Sequence, residues 1–588
     1  MMAVSAPADV DSQHRKPPVQ RWWERSRRRT PGTVAALTWL IGLMTVISAL
    51  LRGRHHRFED LASLVGRPVA KQTTATATAL LIALGLLLMY LASGLRRRKR
   101  RAWRAAIVVT ALVALSHLAA KLNIVGVVLS LLLIIVLVIA REQFYALGDP
   151  TTRWYALRVT IELMLVGVVL GMVGLAVNSG SILGEPSLWQ QFQHVIDGFV
   201  GVEGPLKFRT DLVDDIVGYS MAAMGLLVLF VGSYLFLRSA QPRAVLTTGD
   251  EERLRALLEN HGARDSLGYF ALRRDKSVVW SPSGKSAVTF RVDAGVALAS
   301  GDPIGDPEAW PGAIEEFLDL AARHAWVPAV IGGSEQGATV YRRHGLDALE
   351  LGDEAIVEAS AFSLDGRPMR GVRQAVKRVE RAGYDVQVRR ARDLSDGEMN
   401  ELVTVASAWR GGAVERGFSM ALSRLGDPSD GECVVATAHQ DGRLRGLLHF
   451  VPWGPDGLSL DLMRRDRAAD NGLNELLIVR LIEAARDELG VRRVSLNFAA
   501  FRSALERGER IGAGPVLRLW RKLLVFLSRW WQIESLYRFN VKFRPDWQPR
   551  FLSFPSTRDL PRIAFAALEA EAFFVRPRRL QRMLRRDG

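Results

Sequence analysis

The chain has 588 residues, more than one hydrophobic core usually organises, and its 49% apolar and 24% charged residues exclude low-complexity disorder and collagen. Lys and Arg number 78 against 61 Asp and Glu, so the net charge is +17 and favours anionic partners such as nucleic acid or acidic lipid. The one cysteine, Cys433, excludes a disulfide framework and any cysteine-cluster metal site.

The N-terminal part of the chain contains long apolar stretches that soluble domains lack. A helix needs about 20 residues to cross the hydrocarbon layer, and because further spans follow, the first stretch is an uncleaved anchor rather than a signal peptide. We predict an all-α transmembrane bundle over 34–240, preceded by a basic cytoplasmic N-terminus over 1–33. The six candidate spans are 34–51, 75–95, 104–120, 122–140, 157–177 and 215–238.

Charge around the spans predicts their orientation. Arginines cluster before the first span and after the second, whereas the segment between the last two spans carries only Lys207 and Arg209 against several acids. The positive-inside rule therefore places both termini in the cytoplasm of a multi-pass plasma-membrane protein, although the basic loop 52–74 opposes this orientation. Glu162 and His117 lie inside apolar stretches, and we expect Glu162 to pair with an arginine rather than to line a transport path.

From about residue 246 the pattern changes to alternating strands and amphipathic helices. Strands are predicted at 268–272, 277–280, 286–292, 296–299, 327–331, 346–350 and 355–358, and again at 384–388, 433–439, 444–450, 458–462 and 493–496. Helices are predicted at 251–260, 309–324, 336–344 and 369–383, and again at 396–410 and 472–489.

The order of elements repeats once, which indicates a duplicated mixed α/β fold with units of about 150 residues each. We place the units at 245–383 and 384–560, followed by a basic tail over 561–588. The segment 516–531 mixes arginines with Leu, Phe and Trp, which suits either a bilayer-interface helix or an ordinary core helix. The six arginines of 576–586 suit a solvated or lipid-headgroup-facing arm.

The familiar catalytic motifs are absent from the sequence. It has no G-x-S-x-G elbow, no Walker loop and no H-E-x-x-H, and its ten histidines show no metal-ligand spacing. Cys433 opens an apolar strand, which favours a structural thiol over a nucleophile. We therefore expect neither covalent nor metal catalysis, with no metal and no cofactor.

The duplicated order resembles the acetyltransferase-like fold, so a site for acyl-CoA is one alternative. Such a site needs a glycine-rich turn before a helix, whose free N–H groups hold a pyrophosphate. The corresponding turn, 467–472, has the carboxylate of Asp470 where the anion would bind. This disfavours acyl-CoA and favours a donor that carries a positive α-ammonium group.

Strand 458–462 and the residues after it carry a charged pair suited to chemistry. In a regular strand Asp461 and Met463 share one face, and Arg464 joins the other face or leaves the strand end. Asp461 is a candidate ligand for an ammonium group and Arg464 for a phosphate or an ester carbonyl, although such pairs are often structural. His449, on a neighbouring strand, is the best-placed general base, with a core histidine as the alternative.

Seven sequence blocks follow one another along the chain. The first three are G-D-P-I-G-D at 301–306, M-R-G-V-R-Q-A-V-K-R leading to G-Y within 369–384, and E-R-G-F-S-M at 415–420. The other four are L-D-L-M-R at 460–464, N-G-L-N-E at 471–475, S-L-N-F-A at 495–499, and the residues around K-F and P-D-W-Q-P-R within 536–550. Together these blocks resemble the multiple peptide resistance factor family, the phosphatidylglycerol lysyltransferases and alanyltransferases. The resemblance is closest to the actinobacterial branch.

The resemblance implies two tandem acetyltransferase-like subdomains on the cytoplasmic face of the plasma membrane. It also implies transfer of an aminoacyl group, lysyl or alanyl, from charged tRNA to the hydroxyl of phosphatidylglycerol. The lipid hydroxyl attacks the tRNA ester directly, which agrees with the missing Ser or Cys nucleophile. The chain has fewer spans than relatives with a flippase and no fused lysyl-tRNA synthetase. We therefore expect no lipid flipping and a separate synthetase that supplies the donor, and a homodimer is compatible with the sequence.

The matching blocks also suggest site residues. Asp461 binds an ammonium group of the aminoacyl moiety and Arg464 contacts a phosphate or the ester oxygen, with His449 as the possible base. Glu415 and Glu475 are further carboxylates, although Glu475 also suits the first turn of a helix, where the dipole stabilises it. The other substrate-binding candidates are Arg416, Phe418, Ser419, Asn471 and Asn497.

Two basic groups are candidates for binding phosphates. Arg370, Arg373 and Lys377 fall on one helix face and suit the tRNA acceptor stem or a lipid phosphate, with a solvated face as the alternative. Near the end of the resemblance, the candidates for the lipid phosphodiester or the tRNA 3′ end are Lys542, Arg544, Trp547 and Arg550. Trp547 is equally compatible with core packing.

Two other functions compete with the aminoacyl-tRNA interpretation. One is a membrane-anchored N-acyltransferase that uses acyl-CoA on a peptide or sugar, which needs the pyrophosphate loop that the sequence lacks. The other is a lipid transporter with a regulatory soluble part, which needs a polar path through the spans. The spans offer only isolated polar residues.

Overall fold

The computed structural model describes residues 31–50, 71–119, 124–146, 152–202, 204–237, 245–411, 417–500 and 533–572. The chain divides near residue 240 into two compact units, one helical and one built on a sheet. The predicted segment 516–531 and the arginine-rich tail 576–586 lie outside the described residues.

All six predicted spans fall on helices. The described helices of the first unit are α1 Pro31–Leu50, α2 Lys71–Arg96, α3 Arg100–Ala119, α4 Ile124–Ile139, α5 Thr152–Val177, α6 Leu188–Phe199 and α7 Asp211–Leu237. Four of them contain stretches long and apolar enough to cross a membrane, while α2 and α4 contribute shorter apolar stretches. The helical, span-forming unit predicted from the sequence is confirmed, and α6 is an addition that hydropathy alone does not reveal.

The spans pack through small residues. A Cβ atom placed on Gly42 of α1 would lie 2.7 Å from the carbonyl oxygen of Gly85 in α2, so only glycine permits this close approach. The charge inside α5 is neutralised locally, since Arg158 Nε lies 2.7 Å from Glu162 Oε1. The predicted pairing of Glu162 with an arginine is therefore confirmed.

The second unit alternates helices with strands. Its strands are β1 Ser277–Trp280, β2 Ser286–Asp293, β3 Val296–Ser300, β4 Ile304–Gly305, β5 Val327–Gly333, β6 Asp347–Glu358, β7 Tyr384–Arg390, β8 Val434–Gln440, β9 Arg443–Trp453, β10 Gly457–Arg465, β11 Arg493–Ala500 and β12 Asp546–Phe554. Its helices are α8 Thr248–His261, α9 Trp310–Arg323, α10 Glu335–Arg343, α11 Arg370–Arg381, α12 Asp396–Arg410, α13 Leu473–Asp487, α14 Ile533–Val541 and α15 Leu560–Ala570.

These strands form one mixed sheet in the order β1-β2-β3-β5-β12-β6-β11-β10-β9-β8-β7, with β4 on β2. Each half has an antiparallel meander, then a helix, then a strand that pairs in parallel with the last strand of the meander. β5 pairs with β3 in this way in the first half, and β11 pairs with β10 in the second. Helices α9, α10, α11 and α13 cover one face, and α8, α12 and α15 cover the other. This repeated order confirms the tandem acetyltransferase-like fold class.

Two local predictions are wrong for physical reasons. Residues Gly268–Leu272 form a buried 3₁₀ turn rather than a strand, because a short apolar run buried on all sides fits either conformation. The strands predicted at 346–350 and 355–358 are one strand, β6. The residues between them include the polar Asp353 and Glu354, and tertiary contacts neutralise Glu354 inside the sheet, so the strand continues.

Arg550 of β12 provides those contacts. Its Nε donates to Glu354 Oε2 at 2.9 Å, one terminal nitrogen donates to Asp265 Oδ1 at 2.8 Å and to Gly332 O at 3.2 Å, and the other donates to Ser266 Oγ and Glu354. All five guanidinium N–H groups are thereby used. Burial lowers the pKa of Arg550, but the carboxylates of Glu354 and Asp265 outweigh it and raise the pKa.

Arg550 therefore cannot serve as the predicted contact to the lipid phosphodiester, because its side chain is buried and fully engaged in the core. Its position joins the halves of the sheet: β12 pairs with β5 and β6, and β6 pairs with β11.

The substitution Arg550→Met should lower the free energy of unfolding by about 3–5 kcal/mol, because it leaves two buried carboxylates without their cation. The matched substitution Arg544→Met, at an exposed arginine nearby, should change stability by less than about 0.5 kcal/mol. Thermal unfolding of both full-length variants in detergent, followed by tryptophan fluorescence, measures the difference. Equal stability of the two variants would contradict this role of Arg550.

Candidate active site

The sheet opens between β10 and β11. These strands pair in parallel only where Gly457–Ser459 lies beside Arg493–Ser495. Beyond that point β10 continues beside β9 and β11 continues beside β6, so the carboxyl ends of two neighbouring strands separate. Ligands in open α/β sheets bind beside such strand ends. The opening brings the predicted blocks 460–464 and 495–499 to its two sides.

Each side of the opening carries a β-bulge. The register of β10 shifts between Leu460 and Leu462, and that of β11 shifts between Ser495 and Phe498. Asn497 occupies the second bulge with φ +71°, a left-handed conformation that asparagine tolerates better than most residues. Such extra residues bend a strand and redirect its side chains.

The bulge changes which face the predicted residues occupy. Arg464 pairs with Leu447, whose side chain packs towards α12, whereas Met463 packs into the opposite core with α11 and α13. Asp461 reaches His449, on the same face as Leu447. The regular alternation of a strand predicts that Asp461 shares a face with Met463, while Arg464 lies on the other face or leaves the strand end. The extra residue instead brings Asp461 and Arg464 to one face.

Asp461 and His449 form a buried pair. Nδ1 of His449 lies 2.7 Å from Oδ2 of Asp461, and the two side chains are only 3% and 4% exposed. The other carboxylate oxygen accepts a hydrogen bond from the backbone N–H of Leu422 at 2.5 Å. Both oxygens are thus engaged away from solvent, and in this conformation Asp461 offers no exposed face to a substrate ammonium group.

Protonation of His449 follows from this pair. Burial lowers the pKa of the imidazole, but the adjacent Cys433 and the hydrogen bond to Asp461 outweigh it and raise the pKa to about 10. An imidazolium donates protons and cannot accept one from a lipid hydroxyl. The raised pKa and the contact with Asp461 therefore favour a charged His449, which disfavours the predicted general-base role.

The segment that contacts Asp461 is also held by the other half of the sheet. Glu571, at the end of α15, accepts hydrogen bonds from Phe418 N at 2.7 Å, Ser419 N at 3.0 Å and Ser419 Oγ at 2.5 Å. Arg273 donates to the carbonyl oxygens of Gly417 at 2.6 Å and Ala421 at 2.8 Å. These two side chains fix the segment over the sheet, from 144 to 153 residues away in sequence.

Phe418 and Ser419 are therefore anchors rather than exposed substrate contacts. The ring of Phe418 is buried, with Lys276 Nζ 4.7 Å and Arg291 Cζ 4.8 Å from its centre. The hydroxyl of Ser419 donates a hydrogen bond to Glu571. The neighbouring candidates Glu415 and Arg416 lie outside the described residues. No local pattern marks Arg273 or Glu571, so sequence reasoning missed both.

Three polar side chains near the opening have no hydrogen-bond or ion-pair partner among the described residues. The buried Ser459 Oγ lies where the strands begin to separate, and Asn497 Oδ1 lies on the β11 side. Arg464 follows on the β10 side, half-buried. A hydroxyl, a carbonyl and a guanidinium together suit a polar ligand that offers hydrogen-bond donors and acceptors as well as negative charge.

Other predicted residues gather around the start of α13, on the opposite face. Glu475 Oε1 lies 2.8 Å from Lys542 Nζ, so each is partly committed to the other. Gly472 takes φ +105° at the helix start, and the carbonyl of Asn471 accepts a hydrogen bond from Arg378 at 2.5 Å. The geometry places this group behind the sheet relative to Asp461.

Trp547 packs against the core formed with α11 and α13, its ring centre 5.7 Å from that of Tyr537. Core packing is therefore the role that the structure gives it. Arg544 is exposed at a position with φ +52° and remains accessible to an anion.

Helix α11 presents a strongly basic surface. Val372, Val376 and Val379 are buried, which leaves the charged residues on the outer side of the helix. Arg370 and Lys377 are exposed, whereas Arg373 donates to the carbonyl oxygens of the loop before the helix. Only part of the predicted common face is thus free to bind phosphates.

Within the described ranges, no three His, Cys, Asp or Glu residues are grouped as metal ligands. A cavity of about 470 Å³ lies at the far edge of the sheet, lined by Asp385, Glu401 and His439 among others. None of the residues of the opening lines it.

Comparison with known proteins gives the family of the chain and the nature of its N-terminal region. Residues 255–554 match the family described as phosphatidylglycerol lysyltransferase, C-terminal. The chain belongs to this family. Residues 27–236 match the transmembrane region of lysyl-tRNA synthetase, so the chain carries a multi-pass membrane region. The resemblance drawn from the seven sequence blocks is confirmed.

The curated relatives are longer proteins. The lysylphosphatidylglycerol biosynthesis bifunctional protein LysX of Rhodococcus opacus is 46% identical over 501 residues, which cover 84% of this chain and 44% of the relative. The LysX protein of Mycobacterium avium is 42% identical over 565 residues, covering 94% of this chain and 48% of the relative. This chain spans about half the length of the curated relatives it matches.

Two solved structures are similar to part of the chain. L-PGS from Bacillus licheniformis is 24% identical, with a TM-score of 0.46, and covers 54% of this chain and 96% of its own. The C-terminal domain of a putative lysylphosphatidylglycerol synthetase from Agrobacterium fabrum is also 24% identical, with a TM-score of 0.46, covering 54% of this chain and 95% of its own.

The pair of His449 and Asp461 predicts a specific pH dependence of stability. Because the folded pKa of His449, about 10, exceeds its ordinary 6.5, the stabilisation is fully present below about pH 6.5 and is lost as pH rises through about 10. The stability difference between the native chain and His449→Gln should therefore shrink from about pH 6 to about pH 10. Thermal unfolding at both values measures it, with His261→Gln as the control. A difference that grows with pH would contradict the charged state of His449.

Removing the anchor of residues 417–419 should destabilise the second unit. Glu571→Gln keeps one acceptor oxygen but loses the charge, and should cost about 1.5–3 kcal/mol of unfolding free energy. The control Glu488→Gln changes an exposed carboxylate at the end of α13 and should be near neutral. Denaturant unfolding of the two full-length variants compares them, and equal midpoints would show that Glu571 anchors nothing.

Proposed function

We propose that this protein transfers an aminoacyl group, most simply lysyl, from charged tRNA to a hydroxyl of phosphatidylglycerol. The observation that carries the proposal is the opening between β10 and β11 in a member of the phosphatidylglycerol lysyltransferase family, with polar side chains on both sides that have no partner among the described residues. The relatives' names refer to lysylphosphatidylglycerol biosynthesis, which favours lysine over alanine. A net charge of +17 suits two polyanionic substrates.

The proposed reaction needs no covalent enzyme intermediate. The lipid hydroxyl oxygen attacks the carbonyl carbon of the aminoacyl ester, the bond from that carbon to the ribose oxygen breaks, and the hydroxyl proton goes to the ribose oxygen. In this scheme Arg464 stabilises the developing negative charge on the ester oxygen or holds the lipid phosphate. Ser459 and Asn497 hydrogen-bond the ester and the ammonium group, respectively.

The Asp461–His449 pair acts as a positioning element in this proposal. Asp461 holds Leu422 and thereby the segment 417–423, which Arg273 and Glu571 anchor from the other half. Glu415, just before that segment in the sequence, remains a proposed carboxylate for a substrate ammonium group, whereas Glu475 lies on the opposite face of the sheet, paired with Lys542.

The two substrates meet different basic surfaces in this proposal. The exposed Arg370 and Lys377 of α11 contact the tRNA backbone, and Arg544 contacts a phosphate of the lipid or of the tRNA 3′ end. Contacts of this kind weaken as salt rises, because each releases counterions from the nucleic acid. We further propose a plasma-membrane location with both termini in the cytoplasm, a synthetase that supplies the charged tRNA, and a homodimer.

The decisive assay incubates the detergent-purified protein with phosphatidylglycerol and tRNA charged separately with radiolabelled lysine and alanine. Ribonuclease-sensitive label in the organic phase supports the proposal and identifies the amino acid. Absence of lipid label with both donors, together with acyl transfer from acyl-CoA, would replace it with the acyltransferase function.

Arg464→Met should lower kcat/KM for lipid aminoacylation at least about 100-fold, since a guanidinium aimed at developing charge contributes about 2.7–4 kcal/mol. The control Arg443→Met removes an exposed arginine beside the β8–β9 turn and should keep activity within about twofold. Both variants are assayed with charged tRNA and phosphatidylglycerol, after matched thermal unfolding. Native activity in Arg464→Met would remove Arg464 from the site.

A further inference from the structure

The cavity at the outer edge of the sheet is separate from the opening between β10 and β11. It has a volume of about 470 Å³, and its walls come from β7 and β8 on one side and from α12 on the other. Small-molecule sites in proteins have volumes of about 300–1,000 Å³, so a small organic ligand fits. Because β7 is the last strand of the sheet and Asp385 on it is exposed, a ligand can enter from solvent.

The alternation of β7 and β8 gives the cavity a polar floor. The apolar residues of β7 pack into the core with α11 and α13, so Asp385 and Gln387, which alternate with them, face α12. The antiparallel register places Asp385 opposite His439, and Gln387 opposite Thr437. The Cβ atoms of directly opposed residues lie about 4.5–5.5 Å apart, so these four side chains form one continuous surface.

This floor contains polar groups that lack a hydrogen-bond partner within the described part of the chain. Thr437 is only 4% exposed and lines the cavity, yet its hydroxyl forms no hydrogen bond with the described residues. Nδ1 of His439 is also buried without a partner. Buried polar groups in proteins are normally hydrogen-bonded, and an unpaired one is costly. A ligand with hydrogen-bond donors would satisfy the Thr437 hydroxyl.

Carboxylates dominate the charge of the cavity. Asp385, Glu401 and Asp441 line it without a side-chain hydrogen bond or ion pair to any described residue. Glu398 also lines it, but Arg389 neutralises that carboxylate, with a guanidinium nitrogen 2.8 Å from Glu398 Oε1. Uncompensated negative charge is thus concentrated at one place on a chain whose net charge is +17. Such a cavity attracts a cation.

The lining also decides which kind of cation fits. Among the described residues, no three His, Cys, Asp or Glu side chains are grouped to hold a metal ion, so the carboxylates suit charges spread along a molecule. Leu394, Leu402 and Leu444 supply apolar surface on which methylene groups bury favourably. A free amino acid would also need a cation for its carboxylate. Arg389, the only arginine or lysine among the lining residues, is already paired with Glu398.

We propose that this cavity binds an aliphatic diamine or polyamine. The ammonium groups of the ligand pair with Asp385, Glu401 and Asp441, and one of them donates a hydrogen bond to the Thr437 hydroxyl. The methylene groups of the ligand cover the leucines of the wall. None of these residues belongs to the machinery proposed for aminoacyl transfer, so this proposal is independent of that reaction.

Isothermal titration calorimetry with spermidine tests the proposal on the full-length protein in a neutral detergent, without nucleic acid or lipid. We expect saturable binding that weakens at least about threefold when the salt concentration rises from about 50 to about 500 mM, because salt screens exposed charges. L-Lysine should bind at least about tenfold more weakly, because its carboxylate is repelled by those of the cavity.

Variants locate the binding site. Asp385→Asn combined with Glu401→Gln should weaken spermidine binding at least about tenfold, since two charge-assisted hydrogen bonds are lost. The control, Asp347→Asn combined with Glu488→Gln, changes the net charge equally at two exposed carboxylates elsewhere and should keep Kd within about twofold. Thr437→Val removes only the hydroxyl and should weaken binding about threefold to tenfold.

Matched thermal unfolding of the variants confirms that they are folded. Three outcomes would overturn the proposal: no saturable binding of spermidine, equal losses of binding in the cavity variant and the control, or binding of L-lysine as tight as that of spermidine.

Discussion

The buried cation of Arg550 is the contact on which the architecture of the second unit depends. A guanidinium without solvent is stable only where carboxylates and carbonyls use all its donors, and Glu354, Asp265, Ser266 and Gly332 do so here. Because Arg550 neutralises Glu354, this carboxylate lies inside β6 without interrupting the strand. Because β12 and β6 are then held side by side, a strand from the end of the chain joins the two halves into one sheet.

The opening of that sheet, and the segment fixed over it, define the candidate site. Parallel pairing of β10 and β11 ends after three residue pairs, and each strand carries a bulge beside the gap. The segment 417–423 is held from one half by Arg273 and Glu571 and from the other by Asp461. The candidate site therefore depends on side chains from both halves of the sheet.

Exposed positive charge supplies the proposed contacts with the two anionic substrates. The basic face of α11 and the exposed Arg544 suit phosphates, whose attraction is long-ranged and screened by salt.

The sequence by itself determined the six apolar helices, most strands and helices of the second unit up to residue 500, the duplicated order and the family, because these depend on local periodicity and on motifs in a fixed order. It did not predict β4, α14, β12 or α15. It did not determine where Asp461 and Arg464 point, since a bulge with no local signal shifts the alternation. It could not show that Arg550 and Phe418 are buried or that Trp547 packs partly buried against the core, because an arginine or an aromatic ring has the same local pattern on a surface and in a core. Only the tertiary structure decided these points, by bringing together partners such as Glu571 and Phe418 that lie more than 150 residues apart.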